Sequence, residues 1–583
     1  MGGPKHGEAF WENPAQLRLS VWGLIKMATA GSSEEMLFSS SGRGKVYELN
    51  PKPRSAIALQ WSHFSAGTIP NELADIPCAE MNTEDLLDKL NEVFGTTYGL
   101  KKRGLSECLE HFLITSQDFG QVYGTIRSHW KENFSKLLPR LAAAREKDEG
   151  LRRDALCGGY IHDAHVPRRL MWDLYANRVL PSYLIPRPSH MLMPRDRMTI
   201  SHSWVSPDQL TSVSTPINGH EWPVPMPRTT TLEHVRVELL NLGAEYVWLD
   251  VLCLRQRGRP EDEETRQEEW RLDVPTIGSI YGAMLCLTYF NGLGLPLDAS
   301  PDTIASDRHW LNRVWTVQEA TGYWLPGGLT GAADEETRAF FRLYQSRSVP
   351  REQANWPFVV QAIRGRACTT ELDRVHGVAY SMFPHSLPVY EEGMSPPDAW
   401  AMLLKHIHPS ARIELALRHM VNRPHDTALL PSWDDFLSES MGMPTWSTRW
   451  DWPWLHTLGE ASLSTSEPGT FFQHEGNSLG PVYIVEQGKD DTGNCDVLKM
   501  QIADRHRVQH TIVCQVYGSF KPDKQYLIMK TSREVCLVAE VVGERDAGGK
   551  RAFEVVKRGC LFFADGPPKL PERYGVPVVY LPQ

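Results

Sequence analysis

Trp315 and Glu319 stand four residues apart in DRHWLNRVWTVQEATGYW. On a helix that spacing places both side chains on one face. An aromatic ring beside a carboxyl group desolvates it and can wall a pocket. The pair also has a plain structural reading: a core tryptophan, and a glutamate that caps a helix or closes an ion pair. A second polar group closes the apolar run EYVWLDVLCLRQRG, Glu245–Gly258. A buried strand needs only the apolar part, so Asp250, Arg255 and Gln256 are surplus to it. A third group, Ser201, Ser203 and Trp204, ends RMTISHSW. In an open parallel sheet, ligands gather beyond the carboxyl ends of the strands. These residues are therefore expected at the rim of a site. Asp250 has an alternative role, accepting backbone N–H bonds at its own strand-to-loop turn.

The elements that must position these groups follow from the hydrophobic rhythm. RMTISHSW reads as a short strand. TTLEHVRVELLNLG predicts a helix with Leu232, Val235, Leu239 and Leu242 on one face, Thr230 and Glu233 as a capping box, and Gly243 as the stop. YVWLDVLCL is apolar nearly throughout, as a strand buried on both faces of a parallel sheet must be. EDEETRQEEWRLDVPTIGSIYGA predicts a helix broken at Pro275, and MLCLTYF a third strand. This alternation implies an α/β domain. Before it, NTEDLLDKLNEVFG predicts a capped helix with Leu86, Leu87, Leu90, Val93 and Phe94 on one face and Gly95 at its end. GTIRSHWKENFSKLLPRLAAAREKDEG predicts another, broken or kinked at Pro139. After the α/β region the chain is helical and loop-rich, with tryptophans at 446, 450, 452 and 454. It then turns to short β-branched runs, PVYIVEQ, HTIVCQVYGSF, EVCLVAEVVG and AFEVVKRGCLFFA, which predict a small antiparallel sheet or barrel.

Bulk properties exclude several functions. The 583 residues are too many for one core. A net charge of −10 argues against sequence-independent nucleic-acid binding, which needs a basic stripe. Ten cysteines without a C-x-x-C pair imply reduced thiols, not a disulfide framework or a zinc site. In HDAH, His162 and His165 lack further metal ligands, so no metal is expected. The acidic run Glu261–Glu264 suits the start of a helix. SSSGRGKV and GERDAGGKR each depart from the phosphate-loop pattern and read as turns. The longest apolar stretch, Ser279–Leu297, is interrupted by Asn291 and several glycines, so no membrane span is expected. The reduced thiols imply a cytoplasmic protein, and the opening residues lack the apolar core of a secretion signal.

At four places the chain resembles the fungal heterokaryon-incompatibility (HET) domain family. The first motif of that family, L-S-Y-x-W-G, is similar to Ile200-Ser201-His202-Ser203-Trp204-Val205. The second, L-G-x-x-Y-x-W-I-D-S-L-C-I-x-Q, is matched by Leu242, Gly243, Tyr246, Trp248, Leu249, Asp250, Leu252, Cys253, Leu254 and Gln256. The third, M-G-x-I-Y-x-x-A, resembles Ile277-Gly278-Ser279-Ile280-Tyr281-Gly282-Ala283. The fourth, R-x-W-T-x-Q-E, resembles Arg313, Trp315, Thr316, Gln318 and Glu319. LDRVHGVAYSMFP and LLPSWDDF are similar to segments that often follow this domain. Val205, Val251 and Arg257 depart from the usual glycine, serine and acidic residue.

The HET domain is distantly similar to TIR domains, many of which cleave the nicotinamide–ribose bond of NAD with a glutamate in a W-x-x-x-E setting. The resemblance implies an α/β fold with a TIR-like, flavodoxin-like parallel-sheet core at 191–330. It is preceded by a mainly helical region at 1–190 and followed by a helical extension at 331–465 and a small β-rich domain at 466–583. It implies a protein of fungal non-self recognition and programmed cell death, with NAD as substrate rather than cofactor. Glu319 would be catalytic. Ser201, Ser203, Trp204, Asp250, Arg255, Gln256 and Trp315 would line the substrate site. The alternative is a non-catalytic module that signals by self-association, answering a protein trigger.

Overall fold

A computed structural model describes residues 45–48, 57–186 except 66, 196–347 except 322, 332 and 333, and 362–407 except 383–385, with 359, 412, 415, 416, 419 and 430–438. It also describes 462–465, 471–475, 478–489, 496–503, 509–518, 520–530, 535–546, 551–562 and 579–582. The chain divides into two compact units. One is Met1–Gln353 with Arg366–Thr369 and Val389–Glu392; the other is Ala354–Gly365, Thr370–Pro388 and Gly393–Gln583.

In the first unit, a short antiparallel pair (Lys45–Glu48 with Ser62–Ser65) precedes four longer helices, α1 (Thr83–Phe94), α2 (Leu105–Thr115), α3 (Phe119–Ile126) and α4 (Leu137–Ala155). Asn82 caps α1 by accepting from the N–H groups of Glu84 and Asp85, and Gly95 ends it at φ 63°. Leu86, Leu87 and Leu90 are buried with Leu109, Phe112 and Phe119 in one core. Pro139 does not kink a helix, as the sequence suggested. It lies in the first turn of α4, where a missing N–H removes no intrahelical bond.

The sheet behind the site has six strands. They are β1 (Leu170–Asp173), β2 (Arg178–Pro181), β3 (Arg197–His202), β4 (Tyr246–Leu249), β5 (Leu285–Tyr289) and β6 (Trp324–Pro326), in spatial order β6-β5-β3-β4-β1-β2. The four strands β3 to β6 are mutually parallel, with second, first, third and fourth as their order across the sheet. The sheet is not purely parallel as expected. The β1–β2 hairpin, from the stretch read as helical, adds to the edge of β4 antiparallel, with Tyr246 opposite Asp173. Its turn carries Asn177 at φ 52°, a conformation asparagine tolerates better than most residues.

Helix α5 (Leu232–Asn241) crosses between β3 and β4. Its capping box is Thr231 with His234, one residue later than expected; Thr230 instead donates to the Leu293 carbonyl oxygen at 2.9 Å. The strand β4 ends at Leu249, earlier than its apolar run suggested. Asp250–Cys253 form one helical turn. Pro275 separates α6 (Glu263–Asp273) from α7 (Ile277–Gly282), as the sequence indicated. Met198, Ile200, Val247, Leu249 and Leu287 from the strands pack with Val235, Leu239, Ile277 and Ile280 from the helices. The helical region is tied to the sheet by Arg127. It bonds Asp173 at 2.8 Å and Glu245 at 3.1 Å, between the rings of Tyr175 and Tyr246.

The second unit holds helices at Glu371–Ala379, Pro396–His406 and Trp433–Leu437, then nine strands. Six of these close on themselves. Numbered β9 (Ser478–Lys489), β10 (Asp496–Ala503), β11 (Gln509–Gly518), β12 (Tyr526–Lys530), β13 (Val535–Asp546) and β14 (Arg551–Phe562), they pair antiparallel in the ring β9-β10-β11-β14-β13-β12 and back to β9. The strands β7 (Ser462–Thr465), β8 (Phe471–Glu475) and β15 (Val579–Pro582) extend from β14. Closure leaves the six strands without a free edge. In GERDAGGKR, β13 pairs with β14 up to Asp546 opposite Arg551, so this glycine-lysine run joins a hairpin. The four tryptophans at 446–454, and most of SSSGRGKV, lie outside the described residues.

Candidate active site

The strand order reverses at β3. Its neighbours β4 and β5 connect outward in opposite directions, and ligands of open α/β sheets gather beyond the carboxyl ends of the strands at such a point. Ser203 ties this edge together. Its N–H donates to the Tyr289 carbonyl oxygen at 3.1 Å and its hydroxyl to that of Phe290 at 2.9 Å, locking the end of β3 to the end of β5.

The segment after β5 folds back over this edge. The Trp310 N–H bonds the Phe290 carbonyl oxygen, and Val314 and Asn312 bond the backbone of Ala367. The single helical turn α8 (Thr316–Glu319) then delivers Glu319 to the tip of β3. Ser201 donates its hydroxyl to Glu319 Oε2, and the Trp310 indole donates to Ser201 Oγ at 2.6 Å. Ser201 and Trp310 are fully buried; Glu319 is 8 % exposed. Burial pushes the Glu319 carboxyl up to about 7. The Ser201 bond opposes that rise, the Asp250 carboxylate adds to it, and the positive charges of His202 and Arg366 oppose it.

His202 points to the other side of the strand end. Its Nε2 lies 2.8 Å from Asp250 Oδ1 and its Nδ1 3.1 Å from the Ser203 carbonyl oxygen. Both partners are acceptors, so the ring meets both only when each nitrogen carries a proton. Burial disfavours that cation, but the Asp250 charge and hydrogen bond outweigh it and raise the ring above the ordinary histidine range. Asp250 Oδ1 also accepts the N–H of Val251 at 2.8 Å, so its backbone-capping role is real beside its pairing with His202. Arg366 is buried, bonded to Thr316 Oγ1 at 2.6 Å and to the Arg313 carbonyl oxygen.

The remaining sequence-predicted residues are placed as follows. Trp204 sits beside His202, ring centroids 5.6 Å apart. Trp315 precedes the turn, half-buried against the main core. Arg255 is paired with Glu221 and Glu269 and lies over the Trp222 ring. Gln256 donates to the carbonyl oxygens of Asp250 and Leu254, holding the turn after β4. Thus Ser201, Ser203, Asp250 and Glu319 gather at one edge, while Arg255 and Gln256 are committed to the loop. Sequence reasoning did not single out His202, Trp310 or Arg366. His202 was visible between two serines already assigned to the rim; Trp310 and Arg366 are joined to the site only by tertiary contacts.

The cluster has no nucleophilic thiol. Burial raises Cys253 and Cys286 to about 12, so both stay protonated. Among the described residues no group of three His, Cys, Asp or Glu side chains could hold a metal ion, and no helix is long and apolar enough to cross a membrane. What remains is a desolvated carboxyl with one oxygen held and Oε1 without a hydrogen-bond partner among the described residues. No family model, curated protein or solved structure matches the chain.

Proposed function

We propose that the first unit carries a TIR-like HET domain that hydrolyses NAD at the nicotinamide–ribose bond, within a pathway of non-self recognition and cell death. The observation that carries this reading is the Glu319 carboxyl bonded to Ser201 where the strand order reverses. The order second, first, third, fourth is also that of flavodoxin-like sheets, which bind ligands at this point.

The chemistry asks little of the protein beyond charge and position. The C1′–N bond breaks with its electron pair leaving on nicotinamide, and a ribosyl cation develops. The Glu319 carboxylate stabilises it, water adds at C1′, and that water loses a proton to give ADP-ribose. A carboxyl raised to about 7 is ionised in about half the molecules at neutral pH, and a cationic nicotinamide beside it favours the charged form. A crevice opened at this edge by substrate would have Ser203 at its floor and the His202–Asp250 pair with Trp204 at its rim.

The competing reading is a non-catalytic, self-associating module. The 8 % exposure of Glu319 favours it, because a dinucleotide needs an open crevice. Incubation of NAD with the purified full chain over a range of protein concentrations separates the two. Turnover lost in Glu319→Gln supports hydrolysis. Folded, self-associated protein that leaves NAD intact at every concentration supports the module.

A further inference from the structure

The Glu319 carboxyl is held by a relay whose proton directions can be worked out. An indole N–H only donates, whereas a serine hydroxyl donates one proton and accepts on two lone pairs. The Trp310 N–H, 2.6 Å from Ser201 Oγ, therefore occupies a lone pair of the serine. The Ser201 proton goes to its other partner, Glu319 Oε2. Both Ser201 and Trp310 are fully buried, so no water competes for either bond. A proton on Oε2 would confront the serine with two donors and strand its own proton. The neutral acid must therefore carry its proton on Oε1, and the relay keeps one direction in both charge states.

We infer that Trp310 and Ser201 are positioning residues that pin Glu319 Oε2 and leave Oε1 as the working oxygen, the one free to meet a ribosyl cation or any other positive centre brought to this edge. This rests on the proposed function for its substrate, but not for its geometry. Neither residue touches substrate; each acts through Glu319. The relay also polarises cooperatively, because each bond in a chain strengthens the next. Other groups that act on Glu319 are Asp250 on the helical turn after β4, His202 on β3 and Arg366 on the segment that packs against α8. Tyr281 on α7 and Cys286 on β5 feel the Glu319 charge in turn.

The test follows the indole N–H of Trp310 by NMR in full-length protein labelled with 15N-tryptophan, its resonance assigned by loss in Trp310→Phe. The wild-type signal is expected to titrate with a midpoint near 7, and not to titrate in Glu319→Gln. Ser201→Ala is expected to uncouple it, and Ser201→Thr, which keeps the hydroxyl, to restore the coupling. The remaining tryptophan signals show whether each variant is folded. If NAD is turned over, Ser201→Ala should move the acidic limb of the rate profile up by about one pH unit, roughly a five-fold loss at pH 7 recovered at higher pH. A Trp310 signal that does not titrate in folded wild type, or that titrates unchanged in Ser201→Ala, overturns the relay. A titrating relay without NAD cleavage refutes the proposed reaction and leaves the relay standing. NAD cleavage that needs Glu319, with an unchanged profile in Ser201→Ala, does the reverse.

Discussion

Glu319→Gln should stabilise the first unit, and more so as pH rises. Burial lifts the folded carboxyl from its ordinary 4.5 to about 7. The folded state therefore binds this proton more tightly than the unfolded chain. Its ionisation penalty is absent well below 4.5, grows between 4.5 and 7, and is complete above 7. At about 1.36 kcal/mol per pH unit, a gap of about 2.5 units amounts to roughly 3 kcal/mol. Glutamine has the same shape, never ionises, and still offers an acceptor oxygen to Ser201. Wild type and variant should therefore melt within about 2 °C of each other at pH 5 and about 6 °C apart at pH 9, variant higher, taking ~2 °C per kcal/mol for a large unit. Differential scanning calorimetry at several pH values measures this, and comparison with the variant cancels every titrating group that does not interact with Glu319. A gap that is constant with pH would refute a desolvated carboxyl at this site. A variant less stable at high pH would invert the sign and show that the charged form is the one the fold favours. The stabilisation expected here is the converse of a functional site that retains an unfavourable charge.

Other perturbations test the rest of the site and its frame. The His202 ring should titrate above 6.5 by NMR and fall below its wild-type midpoint in Asp250→Asn, since the Asp250 carboxylate is the main group raising it. Arg127→Ala should cost about 3–5 kcal/mol in denaturant unfolding, because it strips the fully buried Asp173 of its cation. Glu238→Ala should cost at least ~3 kcal/mol in the same measurement. It removes the acceptor of Tyr289 Oη and of the Gly328 N–H, now bonded at 2.9 and 2.8 Å, and leaves Gln60 Nε2 with only the Gly294 carbonyl oxygen. Gly328→Ala should reduce the yield of folded protein, since a Cβ there would lie 2.1 Å from the Leu295 carbonyl oxygen and φ is +72°.

The parallel core was legible because its signals are local. Apolar runs mark β3, β4 and β5, Pro275 splits α6 from α7, and Gly243, at φ 87°, follows α5. The errors were of two physical kinds. Short apolar runs do not distinguish a strand from a turn of helix, so Val251–Cys253 looked like more strand than β4 contains. Pairing partners are set by tertiary packing, so the hairpin of β1 and β2 gave no sign that it would extend the sheet antiparallel. For the site, the strand-tip residues Ser201, Ser203 and Asp250 could be found from position alone. The four-residue spacing of Trp315 and Glu319 suggested a helix face, but the helix is a single turn. The indole that reaches the carboxyl through Ser201 belongs to Trp310, whose role depends on a fold-back that no local pattern encodes.

The most direct test of the central claim is the release of nicotinamide from NAD by the purified full chain, followed at neutral pH beside Glu319→Gln at matched concentration. If Glu319 stabilises the ribosyl cation, release rises with wild-type protein and is lost in the variant while its fold persists. Equal release by both proteins would contradict it, as would no release by folded wild type at any concentration.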